Sequence, residues 1–224
     1  MKFATLHRWP RDTDAAITLQ ARLAPRVRLQ PIPPRVRLIA GADTTFTPDG
    51  RAVMAAVVLW DLKAGELVTS STAAQPCHFP YVPGLLSFRE LPCILAAFRK
   101  LRTQPDAVLY DGQGLAHPRR VGIASHLGLW IGLPTIGCAK SRLLGTCDEP
   151  PGERGGQSPL WHNGEQVGVV LRTRDGVKPM FVSPGHLCDH ASAVRLTLAT
   201  ATKYRLPEPT RLAHHCVSAL RQMR

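Results

Sequence analysis

The sequence lacks any apolar run of about eighteen residues, the length that a membrane-spanning helix needs. Its longest apolar stretch, Ala52 to Trp60, has the length of a buried strand. Lys2 and Arg8 near the N-terminus are not followed by an apolar segment of the signal-peptide type. We therefore expect a cytoplasmic protein with no membrane partner.

Cysteines are few, irregularly spaced and never arranged as C-x-x-C. The six are Cys77, Cys93, Cys138, Cys147, Cys188 and Cys216. Such spacing excludes the common zinc-binding and disulfide frameworks. We expect free thiols in a reducing compartment and no zinc site. Internal repeats and low-complexity segments are also absent.

Acidic residues are in the minority, with 16 Asp and Glu against 28 Lys and Arg, which gives a net charge of +12. This surplus favours a polyanionic partner, because each phosphate contact releases condensed counterions. An arginine-rich proteome would produce the same surplus without any nucleic acid. The chain of 224 residues, 44% of them hydrophobic, can form one substantial core. We expect one domain over residues 1–224, and a monomer.

The first third of the chain predicts a helix followed by an antiparallel meander. Residues 12–24 have a loose apolar face, and several prolines between positions 25 and 34 end that helix. Turn signals of the Pro-Asp-Gly and Lys-Ala-Gly type separate the next apolar segments. The predicted strands cover residues 36–46, 52–61 and 67–73.

The pattern then changes to alternating helices and strands. The predicted elements are helices over 87–102, 118–130, about 190–204 and 208–222, strands over 107–110 and 134–139, and a hairpin over 167–172 and 179–183. Residues 146–164, rich in Pro and Gly, are predicted to form a surface loop. Strand–helix alternation implies right-handed crossovers and a parallel portion of the sheet. We therefore predict an α/β fold of ribonuclease H-like type, with a mixed sheet flanked by helices, although other α/β folds give similar patterns.

Three carboxylates from separate elements are candidates for a metal site. Asp43 lies inside an apolar strand, where a carboxylate is costly unless it is paired, hydrogen-bonded or bound to a metal. Asp111 follows a parallel-type strand, and ligand sites of open α/β sheets gather at such strand ends. Glu90 lies in the first turn of a predicted helix. Oxygen ligands of this kind suit Mg²⁺, with Mn²⁺ as a substitute.

Each candidate also has an alternative that spacing leaves open. The segment 87–90 fits the capping box S-x-x-E, so Glu90 is explained equally well as a helix cap. Asp111-Gly112 fits a simple turn, and Asp43 could pair with an arginine. Lys140, at the end of an apolar strand, could neutralise a phosphate or be an ordinary solvated lysine.

Two glycine-rich loops, residues 80–86 and 111–114, are candidates for ligand binding, because glycine leaves backbone N–H groups unobstructed. Tyr81, between two prolines, could stack on or replace a base. The alternative is a rigid surface turn with Tyr81 folded onto the core. The segment His117-Pro118-Arg119-Arg120 opens a predicted helix and suggests a phosphate contact, with solvated charge as the alternative.

Together these segments resemble one known family. Residues 81–90, Tyr-Val-Pro-Gly-Leu-Leu-Ser-Phe-Arg-Glu, closely resemble the PYIPGFLSFRE signature of endonuclease V. Residues 111–128 resemble its DGQGIAHPRRxGIASHLG signature. Three further segments also look like family segments in the expected order, namely 137–145, 178–186 and 205–211. The resemblance covers roughly residues 12 to 224.

The resemblance implies a metal-dependent nuclease with a ribonuclease H-like fold. Such enzymes hydrolyse the second phosphodiester bond on the 3′ side of a deaminated base such as hypoxanthine, and leave 3′-hydroxyl and 5′-phosphate ends. The family's metal carboxylates fall on Asp43, Glu90 and Asp111, and its active-site lysine on Lys140. Its C-terminal catalytic His or Asp falls on His214, with His215 adjacent.

The resemblance also implies how substrate is bound. The family's wedge falls on Pro80-Tyr81-Val82-Pro83, and the pocket for the flipped base falls near Gly84, Leu86 and Gly112. The expected partner is DNA containing deaminated bases, in DNA repair. Two alternatives remain open: an inosine-specific endoribonuclease that uses the same carboxylates, and a nucleic-acid-binding module without catalysis.

Overall fold

The structure, a computed structural model, describes residues 1–222; Met223 and Arg224, the end of the predicted domain, lie outside the described residues. The helices are α1 (Thr13–Leu23), α2 (Leu86–Lys100), α3 (Ile123–Ile131), α4 (His190–Thr200) and α5 (Glu208–Gln222). The strands are β1 (Leu38–Phe46), β2 (Ala52–Asp61), β3 (Glu66–Pro76), β4 (Ala107–Tyr110), β5 (Thr135–Ala139), β6 (Gln157–His162), β7 (Glu165–Leu171) and β8 (Met180–Pro184). A short 3-10 helix, Ala24–Arg26, follows α1.

These strands form one eight-stranded sheet in the order β3-β2-β1-β4-β5-β8-β7-β6. The first three strands are an antiparallel meander. Strand β4 runs parallel to β1 and to β5, and the remaining three strands are antiparallel to their neighbours. The predicted mixed sheet, with a meander and a parallel portion flanked by helices, is confirmed.

The register of the parallel pair brings two of the candidate carboxylates together. Ala42 on β1 is paired with Tyr110 on β4. Asp43 and Asp111 each follow directly, so they lie side by side at the point where β4 ends and β1 continues. Side chains alternate between the faces of a sheet, and this alternation explains why the neighbouring residues of β1 can contact helices on opposite sides.

Helix α5 packs unusually close to β1. A Cβ added at Gly41 would lie 2.1 Å from the backbone carbon and oxygen of Pro209. Only a residue without a side chain permits this approach. The close packing places the middle of α5, including His214, beside Asp43 on β1.

Two predicted elements are wrong. The helix predicted from Pro118 begins at Ile123, because residues 118–122 form a loop in which the Gly122 N–H donates to the Gly114 carbonyl at 2.9 Å. The surface loop predicted over 146–164 contains strand β6, which pairs with β7 through a tight turn at Asn163 and Gly164, both with positive φ. Asn-Gly is a strong hairpin signal, and the abundance of Pro and Gly around it obscured this one.

The expected free thiols are confirmed, since all six cysteines are unpaired. Within residues 1–222, no helix combines the length and the apolar character that crossing a membrane requires.

Candidate active site

Asp43 is held by contacts from two directions. Its Oδ2 atom lies 2.8 Å from Nδ1 of His214 on α5. Its Oδ1 atom accepts the backbone N–H of Thr44 at 2.8 Å. The predicted alternative of an arginine partner is wrong, because a histidine takes that position.

Glu90 is 7% exposed and accepts a hydrogen bond of 2.7 Å from the phenol of Tyr110 on β4. The capping-box alternative is wrong, because helix α2 has Leu85 at its N-cap and no side-chain cap. Ser87, the residue that would have capped, instead has its Oγ atom 2.9 Å from Nδ1 of the buried His126. Glu90 therefore belongs to the interior beside β1 and β4 rather than to the helix end.

Asp111 forms an ion pair with Lys140, which follows β5. The lysine is therefore not an isolated solvated charge. The turn predicted at Asp111-Gly112 is also present, since the Gly112 N–H donates to the Tyr110 carbonyl at 2.9 Å. The ion pair joins the ends of the two parallel strands β4 and β5.

The electrostatics of the three carboxylates favour an added cation. The pKa of Glu90 is raised to about 7, chiefly by burial and in part by the nearby Asp43 carboxylate, against the effect of the Tyr110 hydrogen bond. Burial also raises the pKa of Asp43, opposed by the hydrogen bond from His214, and the Asp111 carboxylate adds repulsion. Neighbouring carboxylates thus help to destabilise the charged forms of Glu90 and Asp43, an effect that a positive ion would reverse.

The residues fit a hard divalent cation by their chemistry. All three offer carboxylate oxygens, the ligand type that Mg²⁺ prefers. As the side chains stand, residues 1–222 contain no group of three or more His, Cys, Asp or Glu that could hold an ion. Each carboxylate instead has a protein partner, namely His214, Tyr110 or Lys140. A bound cation would compete with these partners for the carboxylate oxygens.

A cavity of about 390 Å³ adjoins this cluster. Its lining includes the following predicted site residues: Tyr81, Val82, Pro83, Gly84, Leu86, Asp111, Gly112, His117 and Lys140. Pro80, Asp43, Glu90, Arg119 and His214 are not among its lining residues. Tyr81 is 71% exposed, so the alternative in which it folds onto the core is wrong. One cavity therefore joins the exposed tyrosine to the Asp111–Lys140 pair.

The wall of this cavity at Gly84 is fixed by three donors. Gly84 has a φ of +80°. Its carbonyl oxygen accepts from Nε2 of Gln20 at 3.0 Å, from His117 at 2.9 Å and from Arg119 at 3.1 Å. Gln20 also donates to the Val121 carbonyl and accepts from Nε of Arg119. We call Gln20, His117 and Arg119 the Gly84 clamp.

The clamp gives His117 and Arg119 a role inside the protein that the sequence did not predict. His117 is 4% exposed, and burial lowers its pKa to about 4, so the imidazole is neutral near pH 7. A neutral, buried ring is a poor phosphate ligand. Contact of Arg119 with phosphate stays a prediction.

Sequence reasoning missed Gln20, Tyr110 and His126. Tyr110 could have been suspected, since a tyrosine in a fully buried strand needs a partner for its hydroxyl. Gln20 carries no such signal, because a glutamine on a loosely amphipathic helix is usually solvated. His126 lies within the second signature, but nothing in the spacing links it to Ser87.

Comparison with known proteins gives one consistent result. A family model described as Endonuclease V matches residues 21–215. A relative named Endonuclease V from Myxococcus xanthus is 51% identical over 217 residues, covering 96% of this chain and 92% of the relative. Another from Nostoc punctiforme is 47% identical over 220 residues, covering 98% and 100%.

Solved structures agree. The crystal structure of the Streptomyces avermitilis endonuclease V matches with a TM-score of 0.92 and 43% identity over 96% of each chain. That of the Bacillus subtilis protein matches with a TM-score of 0.94 and 33% identity, covering 100% of this chain and 98% of the other. The likeness therefore extends over the whole sheet and its helices.

Proposed function

Because the chain belongs to the endonuclease V family, we propose that it is a Mg²⁺-dependent endonuclease that acts on deaminated bases such as hypoxanthine in DNA. It would hydrolyse the second phosphodiester bond 3′ to the lesion and leave 3′-hydroxyl and 5′-phosphate ends. Repair of deaminated DNA is the corresponding biological role.

One observation supports this proposal above the others: a single cavity joins Tyr81 to Asp111 and Lys140. Enzymes that act on a lesion in duplex nucleic acid rotate the base out of the stack into a pocket. Tyr81 is exposed and rigidly flanked by Pro80 and Pro83, as a residue that fills the gap should be. The Asp111–Lys140 ion pair lines the same cavity, and would then face the sugar-phosphate backbone beside the extruded base.

The cavity offers donors for reading the base. The first N–H groups of a helix have no partner within the helix, and Leu86 and Ser87 at the start of α2 line this cavity. Hypoxanthine carries an acceptor carbonyl where adenine carries an amino donor. The Gly84 carbonyl is already occupied by the three donors of its clamp. We therefore expect backbone donors, rather than that carbonyl, to recognise the lesion.

The cluster beside the cavity supplies the chemistry. Asp43, Glu90 and Asp111 would hold the cation, which when bound polarises the phosphate and lowers the pKa of water. Lys140 places positive charge where the phosphate oxygens become more negative. His214 has Nδ1 engaged by Asp43, which leaves Nε2 to orient the attacking water or to receive its proton.

The test is strand nicking of a duplex that carries one deoxyinosine, with the undamaged duplex alongside. We expect a single nick whose position and ends are mapped on a sequencing gel, dependent on Mg²⁺ or Mn²⁺ and lost in EDTA. Asp111→Asn should abolish the nick while sparing most of the lesion binding. Cleavage that persists in EDTA would overturn the assigned chemistry.

A matched RNA strand with one inosine forms the third arm. The same carboxylates would serve an inosine-specific endoribonuclease, so only relative rates separate the two substrates. We expect faster cleavage of DNA. Faster cleavage of RNA would assign the enzyme to inosine-containing transcripts, and binding without cleavage of either would indicate a binding module.

A further inference from the structure

A second cavity, of about 790 Å³, lies next to the segment Pro80–Pro83, which we call the wedge loop. It is enclosed by the N-terminal segment, the end of β3 and the first turns of α2. Its lining combines three aromatic and three basic side chains: Trp9, Phe79, Phe88, Arg11, His78 and Arg89. The chemistry described above uses none of them.

The chain places this second cavity directly beside the first. His78 and Phe79 line the second cavity and immediately precede the wedge loop, whereas Tyr81 lines the first. On α2, Ser87 lines the first cavity and Arg89 the second. The start of α2 is thus a shared wall, and the wedge loop lines the first cavity and follows directly on two residues that line the second. A ligand that extends past Tyr81 towards Phe79 would touch both cavities.

The charge of the second cavity is of one sign. No Asp or Glu is among its lining residues, and neither Arg11 nor Arg89 forms an ion pair within the part of the chain that the structure describes. Arg89 is held in place, with its guanidinium 4.3 Å from the centre of the Phe46 ring and a 2.9 Å hydrogen bond to the Phe79 carbonyl. Arg11 and His78 are exposed at the rim. A phosphate is the natural counter-charge for this arrangement.

We propose that the second cavity is a subsite for the nucleic-acid strand next to the lesion, with backbone phosphate on Arg11 and His78 at the rim and sugar or base against the aromatic floor. The assignment rests on the proposed function, because it takes Tyr81 as the residue inserted into the stack. The next base step then begins about 3.4 Å from the tyrosine ring, the spacing of stacked bases along one strand. A strand that continues from Tyr81 towards His78 and Phe79 would then meet the residues just before the wedge loop.

Arg11 makes this subsite testable apart from the active site. It lies outside residues 21–215, the stretch that the family model matches, and it contacts none of the carboxylates. The test compares Arg11→Glu with Arg102→Glu, an equal charge change at an exposed arginine beyond the opposite end of α2. His78→Glu serves as a second variant at the rim. Binding is measured by fluorescence anisotropy in EDTA, so that no strand is cut, over a series of salt concentrations.

The duplexes carry one deoxyinosine and are shortened stepwise on the 5′ side, or on the 3′ side, of the lesion. On the longest duplex Arg11→Glu should weaken binding about tenfold and reduce the slope of log affinity against log salt by about one, the value for one lost phosphate contact. Arg102→Glu should leave the slope unchanged. Once the duplex on one side of the lesion is too short to extend to the second cavity, wild type and Arg11→Glu should bind equally.

If the loss of affinity caused by Arg11→Glu stays the same on every shortened duplex, the charge change acts through long-range electrostatics. That result would overturn the subsite. An unchanged slope together with unchanged affinity for both Arg11→Glu and His78→Glu would overturn it as well. Failure of the proposed function has a different signature, because wild type would then bind lesion and undamaged duplex equally and nick neither. The length dependence at Arg11 is scored on the lesion duplex, because the lesion fixes the register of the protein on the DNA.

Discussion

Nδ1 of His214 lies 2.8 Å from Oδ2 of Asp43, although 171 positions separate the two residues in the chain. The contact depends on the close packing of α5 on Gly41. The same contact distinguishes His214 from its neighbour His215. The Nε2 atom of His215 lies 3.3 Å from Nη1 of Arg211 instead. The structure thus selects one of two adjacent histidines as the partner of a candidate metal ligand.

His214→Ala should slow nicking about 100-fold or more, the usual contribution of a group that moves or orients a proton. Binding of the lesion duplex should change little, because affinity comes mainly from basic residues and the base pocket. Single-turnover nicking and equilibrium binding measure the two effects. His215→Ala is the matched control and should nick at nearly the wild-type rate; a larger loss in His215→Ala than in His214→Ala would reverse the assignment.

Tyr81→Ala should weaken binding of a lesion duplex about tenfold, since a stacked aromatic ring contributes about 1–3 kcal/mol per base. Pro80 and Pro83 limit the entropy lost when the loop inserts. Residual nicking should survive at high enzyme concentration, because the carboxylates are untouched. Tyr81→Phe keeps the ring and should bind nearly as wild type. On single-stranded substrate the Tyr81→Ala penalty should shrink, and equal penalties on both substrates would show that Tyr81 is not a wedge.

Gln20→Met should reduce the preference for lesion over undamaged duplex, because it removes one of the donors that hold the Gly84 carbonyl while keeping the side-chain volume. It also leaves the buried Val121 carbonyl without the Gln20 donor at 3.1 Å. Unpaired buried polar groups of this kind cost about 1–3 kcal/mol of folding free energy. Thr18→Ala, exposed on the same helix, is the control. A stability loss in urea with an unchanged binding ratio would limit the clamp to a structural role.

Acidification should destabilise the protein partly through His117. Its Nε2–H donates to the Gly84 carbonyl and its Nδ1 accepts the Arg119 N–H at 3.2 Å, so the neutral ring satisfies both contacts. Its pKa is about 4 in the folded chain and 6.5 as the ordinary value. The unfolded state binds the proton first, so the contribution of His117 to the free energy of unfolding is fully present above pH 6.5. This contribution is lost as the pH falls towards 4, and the loss from this residue is at most about 3 kcal/mol.

Urea unfolding at pH 7.5, 5.5 and 4.5 measures this effect. His117→Gln cannot titrate and should lose less stability than wild type over the same interval, whereas the exposed His215→Gln should match wild type. The buried His126, whose pKa is also lowered by burial, should leave part of the acid sensitivity in His117→Gln. An identical pH dependence in wild type and His117→Gln would contradict the prediction.

Much of the fold was predictable because its elements carry strong local signals. Helix α1 begins after Asp12, whose side chain caps it, and strands β2 and β4 have the predicted bounds. Errors arose where local signals conflicted. Pro118 suggested a helix start, but the contact of Gly122 with the Gly114 carbonyl holds that segment as a loop.

The sequence by itself determined the family, most of the order of strands and helices, and the candidate carboxylates, lysine and tyrosine loop. Glu90, Asp111 and the tyrosine loop lie in two long signatures, whereas Lys140 lies in a shorter family segment and Asp43 stands out as a carboxylate inside an apolar strand. Only the tertiary structure decided which groups meet: Asp43 with His214, Glu90 with Tyr110, and the Gly84 carbonyl with Gln20. Such pairs depend on strand register and on how closely a helix can approach the sheet. Those distances result from packing of the whole chain, and no local pattern of residues encodes them.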